Sequence, residues 1–470
     1  MKILDLGPLR AAIVMSLLST TAWSQQQPPP PTPPLSTASG SIVVPDAMAP
    51  DDHPLSGAIT PGLGTWGGRH SFYRPGFRIA EDLDTNPSLE GLEGSSLRGY
   101  CNMKGELQFV QFWSNDAEMR YSGAIRYNTD ATQRVNEHFS DLQDLSLVKQ
   151  FQGRRSTVVL SDQLYYSLYS NFAGAGMEGL GDLETPLDQM TGLGTMQLSS
   201  TSLQQQYLPS QTVLTERTSR ISNAAVGELD YRLTGRGTAT VTASYGLLQF
   251  PSAALIDSNQ SLISAGYNYK RSALDTFALE YDFGYFRFPG EGTDIRNHFV
   301  QVEYSRRITG RLSASGGIGP QFTLVQAKQQ EHSIVTWQGQ GNIQYRQGRL
   351  AARVGASRLL TSGAGVAYGS QTEGVQGGLA YDMSRRLASS LNFGLSRNQD
   401  LLTGRTISLE YANVTLTRRT GRYATFFLTY YVAHQLSSEN CVGLLCQPTG
   451  TRQVGGIGFS WSYRPIPINF

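Results

Sequence analysis

The chain has 470 residues, with 38 Lys and Arg against 37 Asp and Glu, a formal net charge of +1 and a mean hydropathy of −0.28. The balanced charge, without a basic block or a basic and aromatic array, excludes the usual signatures of nucleic-acid binding. After the first residues no run approaches the ~18 apolar residues of a membrane-spanning helix. The 23 Tyr, 19 Phe and 50 Gly nevertheless make the chain rich in strand and turn formers.

Residues 1–24 have the three parts of a secretory signal peptide. Lys2 and Arg10 supply positive charge, an apolar run extends from Ala11 to Leu18, and small residues follow up to Ser24. We predict cleavage after Ser24. A short membrane-anchoring helix is the alternative, but the run is well below the ~20 residues that span a bilayer.

Residues 25–73 are rich in Pro, Gly and Ser and open with a run of Gln and Pro at 25–34. Proline fixes φ and cannot join a sheet ladder, so this run predicts a polyproline II spacer. We expect 25–73 to form a flexible periplasmic extension. The alternative is a segment that binds a partner such as the cell wall or an export component.

From residue 74 to the end, apolar and polar residues alternate with period two, and short turns interrupt the alternation. From Gly235 onward these turns recur at intervals of roughly 37 residues, the length of two strands with one short and one longer connection. Residues 74–470 therefore predict an all-β fold, a transmembrane antiparallel up-and-down β-barrel of about 18 strands, or 16 if the hairpin at Asn115 does not span. The predicted turns lie near Asn115, Gly153, Gly235, Arg271, Gly310, Gly348, Arg385 and Gly421.

The two faces of the predicted strands differ in chemistry. Ala239, Val241 and Tyr245 alternate with Thr240 and Thr242, so one face suits lipid and the other suits water. A soluble β-sandwich would also alternate, but its inward positions would form a dense aliphatic core. A propeller would require twice as many turns per repeat.

The last strand, with Phe459, Trp461 and Tyr463 on one face and Phe470 at the end, resembles the C-terminal strand of bacterial outer-membrane proteins. This resemblance implies a location in the outer membrane and recognition of Phe470 by the barrel-assembly machinery. Pro465 and Pro467 depart from the pattern, so we expect the last residues to fold against the periplasmic rim. The segment 75–87 also resembles the opening strand of β-barrel porins.

Two of the predicted outer connections carry candidate features. The connection 172–220 is long enough to suggest a role, as a constriction or plug in the lumen, a lid, or a plain surface loop. Cys441 and Cys446 are spaced for a disulfide at a hairpin tip, with a metal site as the alternative. Cys101 is left over and is predicted to be a free thiol.

Other apparent motifs carry little weight. Gly174 to Gly179 matches a dinucleotide-binding pattern but follows a barrel strand without a parallel βαβ context. His434 beside Ser437 and Ser438 has the ingredients of a hydrolase, though such ingredients are common in a Ser-rich chain. Asp162 interrupts an apolar face, which predicts either a bulge that turns it inward or a place near a rim. We predict no catalysis, no cofactor and no metal.

The resulting hypothesis is a porin-like channel in the cell outer membrane that passes small hydrophilic solutes by passive diffusion. The alternative is a surface or export barrel for adhesion or polymer secretion. Outer-membrane lipid and small polar solutes are the expected partners, and the sequence leaves the solute and the oligomeric state open. Acidic residues slightly outnumber basic ones among the candidate lumen-lining residues, which predicts a weak cation preference: Arg120, Arg126, Glu228, Asp230, Arg232, Glu280, Asp282, Glu303, Arg353 and Asp382.

Overall fold

The structure is a computed structural model, and the chain divides into two units, Met1–Ala38 and Ser39–Phe470. All described residues belong to the second unit. They are 54–57, 71–85, 97–114, 116–129, 139–167, 219–251, 255–290, 292–327, 330–363, 365–437 and 449–468. The predicted signal peptide, most of the predicted extension, Cys441, Cys446, Phe470 and the body of the connection 172–220 lie outside them.

The described residues form nineteen strands, and the last one is only two residues long. Their bounds are β1 Phe72–Asp84, β2 Arg98–Ser114, β3 Ala117–Asn128, β4 Phe139–Gln152, β5 Ser156–Ser167, β6 Arg220–Arg232, β7 Gly237–Gln249, β8 Ser258–Lys270, β9 Asp275–Phe288, β10 Thr293–Arg307, β11 Leu312–Ala327, β12 Gln330–Gln347, β13 Leu350–Thr361, β14 Ser370–Asp382, β15 Leu387–Asp400, β16 Thr406–Thr420, β17 Ala424–Ser437, β18 Gly450–Ser462 and β19 Ile466–Pro467.

Strands β1 to β18 form a closed antiparallel ring in chain order. Each strand pairs with its neighbours in sequence, and β1 closes the ring on β18 from Gly76 opposite Ser462 to Asp84 opposite Val454. Closure satisfies the backbone groups that an open sheet edge would expose to lipid. The predicted fold class and the count of 18 strands are confirmed.

The Tyr463 N–H still donates to the Pro75 carbonyl at 3.0 Å, and after Arg464 and Pro465 the chain end continues this seam. Ile466 and Pro467 of β19 pair with Tyr73 and Phe72, and the Ile468 N–H donates to the Ser71 carbonyl at 2.8 Å. Pro465 and Pro467 contribute no N–H to the ladder, which weakens the pairing at this end of the seam.

Eight short connections of two to four residues lie at one end of the ring, here called the short-turn end, at the predicted positions. In a recurring form a hydroxyl closes the turn: Thr309 Oγ1 accepts the N–H groups of Arg311 at 3.1 Å and Leu312 at 3.0 Å. The same arrangement occurs at Thr234, Ser272 and Ser384. The turns at Thr234, Ser272, Thr309 and Ser384 are therefore each fixed by the hydroxyl of that residue.

The connections at the opposite end, here called the long-loop end, are not all longer. Only four residues, 289–292, separate β9 from β10, and only two, 328–329, separate β11 from β12, as few as at the short-turn end. Strands β10 to β12 have 15 to 18 residues. We attribute the short loops to the length of these strands, because the strands themselves extend further at the long-loop end.

The outward face is apolar and the inward face is polar. On β7 Val241 and Tyr245 are 46% and 45% exposed, whereas Thr240 and Thr242 are 1% and 5% exposed. Outward aromatic rings contact one another across strands, as Phe277 and Tyr304 do at 4.8 Å. A closed sheet with an apolar outer belt and a polar interior has the organisation of a membrane-spanning barrel. No helix long and apolar enough to cross a bilayer occurs in the described part of the chain.

Asp162 takes neither of the two predicted positions. It is the seventh of the twelve residues of β5, no register shift occurs against β4 or β6, and its side chain lies on the outward face. Asn223 of β6 lies on the same face and donates from Nδ2 to Asp162 Oδ1 at 2.7 Å. Asp162 is therefore accommodated on the outward face by a hydrogen bond from Asn223 on the neighbouring strand, and neither a bulge nor a place near the rim is needed.

Candidate functional site: the barrel lumen

One inward wall, on β9 and β10, carries three carboxylates close together. Glu280 and Asp282 alternate onto the inward face of β9, and Glu303 projects from β10 two residues away from Gln301, the register partner of Glu280. Gln301 Nε2 donates to Glu280 Oε2 at 2.6 Å, and Gln340 Nε2 donates to Glu303 Oε1 at 3.2 Å. None of the three carboxylates forms an ion pair with a described side chain.

Amide and hydroxyl side chains surround these carboxylates. Asn297 Oδ1 accepts from Gln321 Nε2 at 3.0 Å and from Thr323 Oγ1 at 2.9 Å, on the part of the wall nearer the long-loop end. We call the inward face of β9 to β12 the acidic wall. Carboxylates neighboured by amides and hydroxyls, without compensating cations, produce a negative potential in an enclosed space, which attracts cations.

The opposite wall, on β1 to β3 and β18, carries charges of both signs in pairs. β1 and β10 are nine places apart in a ring of eighteen strands, so they lie across the lumen from each other. Lys104 Nζ lies 3.4 Å from Glu106 Oε2, and Arg452 Nη2 lies 2.8 Å from Asp84 Oδ2. Glu106 and Asp84 therefore have cationic partners within this wall, whereas the three carboxylates of the acidic wall have none among the described side chains.

An apolar bridge crosses the lumen near the long-loop end. Leu255 packs on Leu248 and Phe250 at the end of β7, and it also packs against Val366 and Ile407. β7 and β16, which carries Ile407, are nine places apart in the ring and therefore on opposite sides. These five side chains, here called the apolar bridge, connect one wall to the other.

Two outer connections form this bridge. The Ile256 N–H of the β7–β8 connection donates to the Gly365 carbonyl of the β13–β14 connection at 2.8 Å. Next to these connections, inward apolar residues of β9, β10, β11 and β13 pack with Ile256 in a further cluster: Phe286, Phe288, Ile295, Val325 and Leu360. The bridge therefore covers part of the lumen at the long-loop end, on the side of the acidic wall.

All ten residues predicted to line the lumen project from inward-facing positions. Glu280, Asp282 and Glu303 are brought together, whereas the other seven are distributed around the ring, and Arg232 lies at the exposed short-turn end. Their strands are β3 for Arg120 and Arg126, β6 for Glu228, Asp230 and Arg232, β9 for Glu280 and Asp282, β10 for Glu303, β13 for Arg353, and β14 for Asp382. Their role in conduction stays a prediction.

Sequence reasoning missed the charged residues of the first two strands and the bridge. Arg78, Asp82 and Lys104 alternate with apolar residues as clearly as the predicted residues do, so the period-two signal was present. The bridge has no comparable signal. Loop residues such as Leu255 and Val366 meet only through tertiary packing. The connection 172–220, for which a constriction was one of three alternatives, lies mostly outside the described residues.

The residues considered for hydrolysis are not assembled. His434 lies on the outward face of β17 and shares a hydrogen bond of 2.8 Å between Nδ1 and Thr451 Oγ1. Ser437 has the opposite, inward parity, and Ser438 lies outside the described residues. Within the described part of the chain no three or more His, Cys, Asp or Glu side chains are grouped to hold a metal ion.

No family model matches the chain, and no curated protein matches it. Among solved structures it is similar to the outer membrane protein OpdK of Pseudomonas aeruginosa, with 7% identity, a TM-score of 0.43, and coverage of 83% of this chain and 99% of that one. It is also similar to OccAB3 of Acinetobacter baumannii, with 6% identity, a TM-score of 0.42, and coverage of 83% and 99%. A third is OccK2 of Pseudomonas aeruginosa in complex with glucuronate, with 10% identity, a TM-score of 0.42, and coverage of 85% and 98%. Likeness at this level transfers neither substrate nor mechanism.

Proposed function

We propose that the chain forms a channel in the bacterial outer membrane through which small hydrophilic solutes diffuse passively. The observation that carries this proposal is the closed ring of eighteen strands, apolar outside and polar inside. Barrels of 16 to 18 strands enclose an aqueous channel unless something fills them. Solute and ions would be the substrates, and no group of the barrel is assigned a catalytic role.

The acidic wall gives this channel a weak preference for cations. Glu280, Asp282 and Glu303 lie on one inward wall without described ionic partners, and low-dielectric walls strengthen the field of such charges on a passing ion. The apolar bridge limits the size of the solute on the same side. Insertion of the barrel into the outer membrane through recognition of Phe470 is part of the same proposal.

Planar-bilayer recording of the purified barrel tests the function. We expect stepwise conductance and a reversal potential in a salt gradient that indicates a preference for K⁺ over Cl⁻. Replacing Glu280→Gln, Asp282→Asn and Glu303→Gln together should move the reversal potential toward zero or to the opposite sign, because the shape of the wall is kept and its charge is removed.

Glu410→Gln is the matched control. Glu410 is an exposed carboxylate on the outward face of β16, so its neutralisation should leave selectivity unchanged. An unchanged reversal potential in the triple variant would remove the acidic wall from the account of selectivity. A native barrel that passes no current at all would refute the channel and favour adhesion or export.

A further inference from the structure

Four residues that precede the barrel, Pro54–Gly57, lie against its inner wall. The Ser56 N–H donates to Asn268 Oδ1 at 3.0 Å, Asn268 Nδ2 donates to Ser56 Oγ at 2.7 Å, and Thr240 Oγ1 donates to the Ser56 carbonyl at 3.3 Å. The hydroxyls of Ser56 and Thr240 also share a hydrogen bond. Both backbone groups of Ser56 and its side chain are therefore bound by the wall, which differs from the flexible periplasmic extension predicted for 25–73.

The wall leaves room for Ser56 through a glycine. Gly266 faces inward on β8, and a Cβ atom placed there would overlap Ser56 Oγ, so any side chain at 266 would displace the segment. Ser56 itself is only 3% exposed. Next to it, a Cβ on Gly57 would lie 3.1 Å from Glu228 Oε1. We call Glu228, Thr240, Gly266 and Asn268 the seat.

The seat lies near the short-turn end of the lumen. Thr240 is the fourth residue of β7 and Asn268 is two residues from the end of β8. The barrel wall begins at Phe72 in β1, six places from β7 in the ring. The segment is therefore held by a wall other than the one that the chain enters next.

We propose that residues 54–57 are a built-in constriction of the lumen, docked in the seat at the short-turn end. Resting on the channel proposed above, this assigns to part of the N-terminal region the task of narrowing the pore. Glycine within a strand lowers stability relative to alanine, so a glycine at position 266 does not stabilise the wall itself. The gap at Gly266, filled by Ser56, fits a specific docking site for this segment.

Disulfide trapping tests the docking without reference to conduction. In a full chain whose three native cysteines are replaced by Ser, Ser56→Cys with Thr240→Cys should cross-link under mild oxidation, detected by mass spectrometry of proteolytic fragments. The matched control pairs Ser56→Cys with Val241→Cys, whose side chain is on the outward face, and should not cross-link. Absence of the first cross-link in a folded barrel would overturn the proposal, whatever the barrel conducts.

Single-channel conductance then tests the constriction. Gly266→Val should expel Ser56 and raise conductance roughly twofold, because conductance follows the open cross-section of the pore. Gly105→Val is the control for folding, since a Cβ at Gly105 meets nothing within 4 Å. The cross-linked barrel should conduct like the native one. If the cross-link forms but Gly266→Val conducts like the native barrel, the segment docks without narrowing the pore, and the constriction is refuted. If no variant passes current, the channel is refuted, but the result on docking still holds.

Discussion

At the scale of single residues, Asp162 is the clearest conflict between a side chain and its surroundings. A carboxylate in the middle of the lipid-facing belt is destabilising, although less so than a Lys or Arg, for which the cost is about 2–4 kcal/mol. Asn223 reduces this cost by donating to Asp162 Oδ1, and it also donates to the Gln163 carbonyl at 3.2 Å. The two side chains hydrogen-bond to each other, but they still occupy positions where apolar side chains would contact lipid.

We expect opposite effects from removing one partner and from removing both. Asn223→Leu alone should lower the temperature at which the barrel unfolds in detergent, because it leaves Asp162 unpaired in lipid. Asp162→Leu with Asn223→Leu should raise that temperature above the native value. Gel mobility after stepwise heating measures both, and Ala243→Leu, an outward change on β7, serves as control. A double variant less stable than the native barrel would show that the pair itself contributes stability.

At the scale of elements, the short turns show how much of the barrel could be predicted locally. Period-two alternation identified the strands because each strand has one face in lipid and one in the lumen, whatever its neighbours are. The short interruptions of this alternation, most of them at Gly or Arg, identified the turns, but they did not reveal that glycine has different roles in them. Gly310 has ordinary φ and relies on Thr309 Oγ1, whereas Gly421 has φ of +79°.

Alanine at these two glycines should therefore have different effects. Gly421→Ala must adopt the left-handed region and should lower the free energy of unfolding by about 1 kcal/mol. Gly310→Ala should be neutral or slightly stabilising, since a Cβ at Gly310 meets nothing within 4 Å. Urea unfolding of the two variants in detergent or lipid vesicles makes the comparison. Equal losses would mean that the conformation of Gly421 does not determine the stability of its turn.

At the scale of the whole molecule, the contents of the lumen could not be predicted from the sequence. Ser56 and Thr240 are 184 residues apart in the chain, and Leu255 meets Val366 only after the ring has closed. Such contacts have no periodic signature, because they depend on which loops face each other across the barrel. The wall follows from local alternation, whereas the constrictions follow from closure, so the determinants of permeation are the part that required the structure.

The apolar bridge joins opposite walls of the barrel at the long-loop end, so weakening it should change conduction. Leu255→Ser with Val366→Ser places hydroxyls in a buried apolar contact, which weakens it by loss of burial and by desolvation of the new groups. The two connections should then separate more often, and single-channel recording should show higher mean conductance with more frequent transitions between levels. Leu402→Ser, at an exposed apolar residue of another outer connection, should have no such effect. Native conductance in the double variant would show that the contact between Leu255 and Val366 does not limit the flow of ions.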